Sequence, residues 1–425
     1  MNKFVDMYQT KKKSASDAIA LIQSRQKVFI APFCNEPQTL VEELVRQSGR
    51  LEDVYLYNMP IGSACLYAGS DHLLSFKIRT FLSTPLFKAS YSTGDCDYIP
   101  INLSEIPRWI GENQIDVALI QVSPPDEHGF CNLGISVDVV QSLIKHAVCI
   151  IAEVNNQMPW SEGNTLVHLS NIDYVVPSTR PMLEIKRKEP TEVERAIGIH
   201  VASLVPDYSV IQVGVGSVSD SILQALHGKK GIGIHSGSIT DPVIELIEQG
   251  VITNEAKEIN RHITVCTTLT GTEELYRYAN RNDAIELHSS DYTHNPAVIS
   301  KLSRFHSINS ALEVDLFGQV NAEQVGKYPV AGVGGQMDFI HGARLSKGGK
   351  AIIALPSTAK NGTESRIKAE IPFVTSLKSE IDYIVTEYGA AELFGKSLKE
   401  RAQALLLIAH PDFREQLRVS IEQLG

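Results

Sequence analysis

Between residues 231 and 254 the chain reads GIGIHSGSITDPVIELIEQGVITN: an apolar run, a polar turn and then a helical pattern. The turn gathers His235, Ser236 and Ser238 around Gly237. A serine hydroxyl is a weak nucleophile unless a base takes its proton, and His235 is the nearby base candidate. A His–Ser pair adjacent in sequence rarely has productive geometry, however, and the turn contains no carboxylate. Glu245 and Glu248 follow in the helical stretch, where a turn rises roughly 5.4 Å, so they point away from the tip of the turn.

Two glycine-bearing stretches suit anion binding. In GVGSVSDSILQAL, residues 214–226, Gly214 and Gly216 sit between a strand pattern and a helix pattern. The amides at the helix start would then favour a phosphate or carboxylate there. Ser219 stands where a third glycine would complete a dinucleotide fingerprint, so that reading is set aside. The second stretch, residues 331–367, runs AGVGGQMDFIHGARLSKGGKAIIALPSTAKNGTESRI. From Ala331 through Gly332, Gly334 and Gly335 it forms a permissive loop whose amides could serve as oxyanion donors. Gln336 and Asp338 add polar groups, and Lys347, Lys350, Lys360 and Arg366 supply cations for phosphates. In SPPDEHGFCNLG, three consecutive residues, Asp126, Glu127 and His128, cannot converge on one metal ion and read better as a turn with solvated charges. Glu313 and Asp315 would share one face of a strand, in a pairing or a catalytic role. Metal binding finds no support.

These motifs need strand ends to hold them. Short β-branched runs recur at 27–32, 53–59, 115–123 and 147–155, then at 208–216, 231–237, 261–268, 349–358 and 381–389, separated by helical patterns. Such runs suit strands buried on both faces of a parallel sheet, an α/β architecture. A length of 425 residues favours two domains, and the charged KRKEP segment places the cut between 1–188 and 189–425. No window approaches the roughly 18 uninterrupted apolar residues of a membrane span. The N-terminal basic cluster leads into an amphipathic stretch bearing Asp17, unlike a signal or transit peptide, so a cytoplasmic location is expected. The six scattered cysteines read as reduced structural residues. A formal net charge of −10 argues against a nucleic-acid surface.

Taken in order, SPPDEHGFCNLGISVD, IAEVNNQMPW, GVGSV, ELYRYANRNDAIELHSSDYTHNP, INSALEVDLFGQVN, GVGGQMDFIHGARLSKGGKAIIALPST and TEYGAAELFGKSLKERAQALLLIAHPDF resemble the acetyl-CoA hydrolase/transferase family. Within it, they resemble the 4-hydroxybutyrate-type branch of the class I CoA-transferases. The likeness covers nearly the whole chain. It implies two similar α/β domains of the NagB/RpiA/CoA-transferase-like fold with the active site between them. The implied substrates are a short acyl-CoA and a small carboxylate, without metal, nucleic acid or membrane, and a homodimer is the family-level expectation.

In the implied mechanism a glutamate attacks the thioester, an acyl-glutamyl anhydride forms, and CoA returns to give a glutamyl-CoA thioester. By resemblance, Gly214, Val215, Gly216, Ser217 and Val218 match the CoA-contacting turn. Gly334 and Gly335 match the loop that binds CoA and supplies an oxyanion donor, with Ala331 and Gln336 in the same contact set. Lys360 falls near the CoA phosphates. The family turn reads Gly-x-His-Ser/Thr-Glu-Met, and this chain has Gly237 at the glutamate position. Three readings therefore stand: an acyl-CoA:carboxylate CoA-transferase, an acyl-CoA hydrolase using water, or an impaired acyl-CoA-binding homologue. PFCNEP and SACLYAGSD are candidate acyl-pocket segments, and nothing in them separates acetyl from butyryl or hydroxyacyl groups.

Overall fold

The computed structural model describes residues 3–72 and 74–423. The chain packs as two compact units. One comprises residues 1–186, 266–292 and 328–334, and the other residues 187–265, 293–327 and 335–425. The chain passes from one unit to the other after residues 186, 265, 292, 327 and 334, so each unit is made of three segments. Residues 266–292 join the first unit through backbone bonds such as Val137 N to Thr267 O and Leu269 N to Ile135 O, at 3.0 and 2.8 Å.

The first unit is built on seven strands: β1 (Lys27–Ile30), β2 (Val54–Asn58), β3 (Phe76–Thr80), β4 (Cys96–Tyr98), β5 (Val117–Val122), β6 (Cys149–Asn155) and β7 (Tyr174–Ser178). They line up as β7-β6-β5-β1-β2-β3-β4, every pair parallel. All six residues of β5 are buried, as covering on both faces of a parallel sheet requires. On one side, Val28, Ile30, Leu56, Ile78 and Leu119 pack with Leu40, Val41 and Leu44 of α1 (Gln38–Arg46).

The second unit has a six-stranded sheet of β8 (Val210–Val213), β9 (Gly233–Ile234), β10 (Phe305–Ser310), β11 (Lys350–Ala354), β12 (Tyr383–Thr386) and β13 (Gly389–Glu392). The order is β9-β8-β10-β11-β12-β13, parallel except for the closing β12–β13 hairpin. Ile353, Ile384, Ala391 and Leu405 contribute to one of its cores, and Phe305, Phe339 and Ile299 to another. Strand β8 lies between β9 and β10, so the order reverses at it, and the carboxyl ends of strands at such a reversal are where open α/β sheets receive ligands.

Several expectations shift in detail. The run at 261–268 supplies Thr264–Cys266 to a separate three-stranded sheet rather than to a main one. The helix Leu398–Ile408 ends just before HPDF, whose proline opens a second helix, Pro411–Gln423.

Candidate active site

Two turns leave adjacent parallel strands of the second unit. After β8, Gly214–Gly216 leads into α2 (Ser217–Gln224), with Gly216 as N-cap at φ 121 and ψ 174. That backbone conformation is essentially reserved for glycine. The amides starting this helix carry its positive dipole end, which favours an anion. The Ser217 hydroxyl donates to Glu194, which also closes the capping box of the preceding helix, Glu192–Leu204, with Thr191. After β9 comes the turn His235–Ser238 and then α3 (Pro242–Glu248). The turns meet: Gly214, Ser236 and Ser238 line one pocket of about 10 Å³, room for roughly a single water.

His235 is fully buried, and its Nε2 donates to the Thr293 carbonyl at 2.9 Å. Ser236 Oγ donates to Val213 O at 3.2 Å. Glu245 and Glu248 are exposed on α3. Asp220, buried in α2, accepts from Thr240 Oγ1 at 3.1 Å and pairs with Arg187 at 3.2 Å. Burial raises its carboxyl pKa, and the Arg187 charge opposes that rise.

A residue that the sequence reading held only inside ELYRYANRNDAIELHSSDYTHNP, with no role of its own, lies beside Gly237. The His294 ring faces two glycines at once: a Cβ on Gly237 would stand 2.8 Å from Nε2, and one on Gly335 would stand 2.6 Å from it. Its other face tilts over Phe339, with ring centroids 4.6 Å apart. Nδ1 shares a 2.8 Å hydrogen bond with Thr293 Oγ1. Burial pushes the imidazole pKa down to about 3, so the ring is neutral at physiological pH. Gly335 is the N-cap of α4 (Gln336–Leu345), so His294 sits against a helix start. No local motif announces this contact, because the partners lie far apart in sequence.

The remaining candidates are dispersed. Ala331 and Gly334 belong to the first unit, where their carbonyls accept from Ser83 N and Leu103 N at 3.1 and 2.9 Å. Gln336 Nε2 donates to Ser376 Oγ at 2.8 Å. Lys360 projects from an exposed hairpin and pairs with Glu364 at 2.6 Å. Lys350 is engaged by Tyr383, its Nζ 3.0 Å from the phenol oxygen, and Arg366 donates to the carbonyls of Thr358, Ala311 and Leu312. Those two cations brace the fold. Asp126 caps its own turn, accepting from the amides of His128 and Phe130, while Glu127 and His128 are exposed. Asp315 is spent on Phe317 N, Gln319 N and Gln319 Nε2.

In the first unit, the two acyl-pocket segments meet where Ser63 Oγ donates to Glu36 Oε1 at 2.8 Å. Burial pushes the Glu36 carboxyl up to about 7, against the lowering effect of that bond. A cavity of about 670 Å³ in the same unit is lined by Gln157, Met182, Glu184, Tyr276 and Arg277; Gln157, Tyr276 and Arg277 fall within IAEVNNQMPW and ELYRYANRNDAIELHSSDYTHNP, read only for their resemblance.

Glycine turns opening onto helix starts at a strand-order reversal define an α/β protein suited to an anionic ligand. Comparison with known proteins then makes the class specific. Residues 2–184 match the acetyl-CoA hydrolase/transferase N-terminal domain and residues 271–421 the C-terminal domain of the same name. The chain is 42% identical to the 4-hydroxybutyrate coenzyme A transferase of Clostridium kluyveri over 420 residues, 97% of each chain. Two solved structures cover 99% of it: 4-hydroxybutyrate CoA-transferase from Porphyromonas gingivalis and RipA from Yersinia pestis. The first shows 34% identity and a TM-score of 0.85 over 100% of that chain; the second shows 32% and 0.94 over 99%. The chain belongs to the acetyl-CoA hydrolase/transferase family, and it is a CoA-transferase. Among the described residues no helix is long and apolar enough to cross a membrane.

Proposed function

We propose that the protein moves CoA between a short-chain acyl-CoA and a small carboxylate of the 4-hydroxybutyrate, butyrate or acetate class. The observation that carries this reading is the 42% identity, spread over 97% of both chains, to a 4-hydroxybutyrate coenzyme A transferase. A butyryl-CoA:acetate CoA-transferase from Anaerostipes caccae, 32% identical over 97% of this chain, supports the same substrate size.

In this reading the amides of Gly214–Val218 receive an anionic part of CoA at the start of α2, where Gly216 leaves open space around its Cα. Gly334, Gly335 and Gln336 face the thioester, Ala331 flanks them, and Lys360 exchanges Glu364 for a CoA phosphate. Position 237 carries no nucleophile, and the buried His235 imidazole, with Nε2 committed to Thr293, orients the next segment instead of acting as a base. A cytoplasmic homodimer belongs to the same reading.

The test offers acetyl-, butyryl- and 4-hydroxybutyryl-CoA with isotopically labelled acetate and separates the thioesters by chromatography. Label entering the acetyl-CoA pool is the expected result. Free CoA accumulating without label in any thioester would instead establish a hydrolase.

A further inference from the structure

The surroundings of Gly237 bear on how transfer proceeds. Its backbone is not in the left-handed region, so a side chain is excluded there by a neighbour and not by φ. That neighbour is His294, whose imidazole also closes on Gly335 at the start of α4. The ring is held from both ends: Thr293 Oγ1 meets Nδ1, and the Thr293 carbonyl is fixed by His235 Nε2. Nε2, on a side chain only 2% exposed, has no hydrogen-bond partner among the described residues and is aimed at the helix start. An unpartnered polar nitrogen beside helix amides is a built receptor for a carbonyl oxygen that gains negative charge.

We propose that His294 receives the thioester carbonyl oxygen through Nε2–H, and that the acceptor carboxylate itself attacks the acyl carbon while both substrates are bound. This rests on the transferase reading. In this assignment the Thr293 hydroxyl is the donor in its bond with Nδ1, and the ring proton sits on Nε2. An acceptor oxygen forms a bond to the acyl carbon, the C–S bond breaks, and CoA departs as thiolate, leaving a mixed anhydride of the two acids. The thiolate then attacks the acceptor-derived carbonyl, and the bond from that carbon to the bridging oxygen breaks. The donor acid leaves as a carboxylate carrying one oxygen that came from the acceptor. No proton or redox partner is consumed, and no acyl-enzyme forms.

Oxygen tracing in a single turnover tests this directly. The protein, in excess over butyryl-CoA, is mixed with doubly ¹⁸O-labelled acetate, and the released butyrate is weighed by mass spectrometry. One acetate-derived ¹⁸O in butyrate from the first turnover is expected. Unlabelled butyrate alongside acetyl-CoA would overturn the inference while leaving the transferase reading intact, because the oxygen would then have come from an enzyme carboxylate such as Asp241 or Asp338. Butyrate carrying solvent oxygen with no acetyl-CoA would contradict both.

A second arm compares His294→Gln, which keeps an N–H donor, with His294→Leu, which does not. A loss of roughly 100-fold in kcat for leucine, partly recovered by glutamine, is expected where an oxyanion donor is removed. KM for acyl-CoA should stay near wild type, and urea titration checks that both variants are folded where kcat is compared. Equal kcat in the two variants would overturn the assignment.

Discussion

Gly237 and His294 form a complementary pair, one giving up a side chain where the other occupies the space. Gly237→Ala would bring a methyl group against a buried ring that Phe339 and Gly335 also confine, so the ring cannot simply swing aside. Overpacking of this kind costs about 1–3 kcal/mol. Adding His294→Gly removes the obstacle, and the double variant should be less unstable than the sum of the singles by about 1 kcal/mol or more. Urea denaturation of the four proteins checks this, and strict additivity would show that the two residues do not share the space. For the same reason, a carboxylate grafted at 237 needs the His294 change beside it.

At the scale of elements, the capping box of the helix Glu192–Leu204 reaches the Gly214–Val218 turn, since Glu194 holds both Thr191 and Ser217. Gly216 sits in the middle of that turn with nothing within 4 Å of a Cβ position. Any cost of Gly216→Ala is therefore backbone strain and not a clash, about 1–3 kcal/mol. Thermal unfolding should show that loss, and calorimetry should show weaker CoA binding; unchanged values for both would remove the turn from the site.

The sequence patterns expose the apolar strands well, because β1, β5, β6 and β11 are nearly continuous hydrophobic runs. They hide β3 and β10, FKIRT and FHSINS, whose polar residues break those runs. Glycine turns were legible from their spacing before helices. The cations were not: Lys350 and Arg366 look like phosphate ligands in one dimension and prove to be braces for strand and loop. His294 lay in a stretch read only for its resemblance, and its role was not legible because it comes from contacts between three distant segments.

For the whole molecule, four buried groups set opposing pH dependences. Burial raises Glu36 from 4.5 to about 7, against hydrogen bonding by Ser63, and raises Asp138 from 3.8 to about 8. The folded state therefore holds protons that the unfolded chain has lost, and each contribution declines as pH rises toward the folded pKa. Burial lowers His294 and His306 from 6.5 to about 3 and about 4. Their contributions are complete above 6.5 and are lost as pH falls. Between about pH 4.5 and 6.5 the two pairs oppose one another, so the slopes from these four groups offset. Above 6.5 the carboxyls act alone. Urea midpoints of wild type should fall from pH 6.5 to 8, and a Glu36→Gln/Asp138→Asn variant should lose most of that fall. Each group contributes at most about 1.4 kcal/mol per pH unit. An identical fall in the variant would contradict the assignment.

The central claim is that the chain transfers CoA between carboxylic acids. Its most direct test is the release of butyrate from butyryl-CoA as acetate is titrated from zero. The account predicts negligible release without acetate, then acetyl-CoA appearing one for one with butyrate. Rapid release without acetate, matched by free CoA, would contradict it.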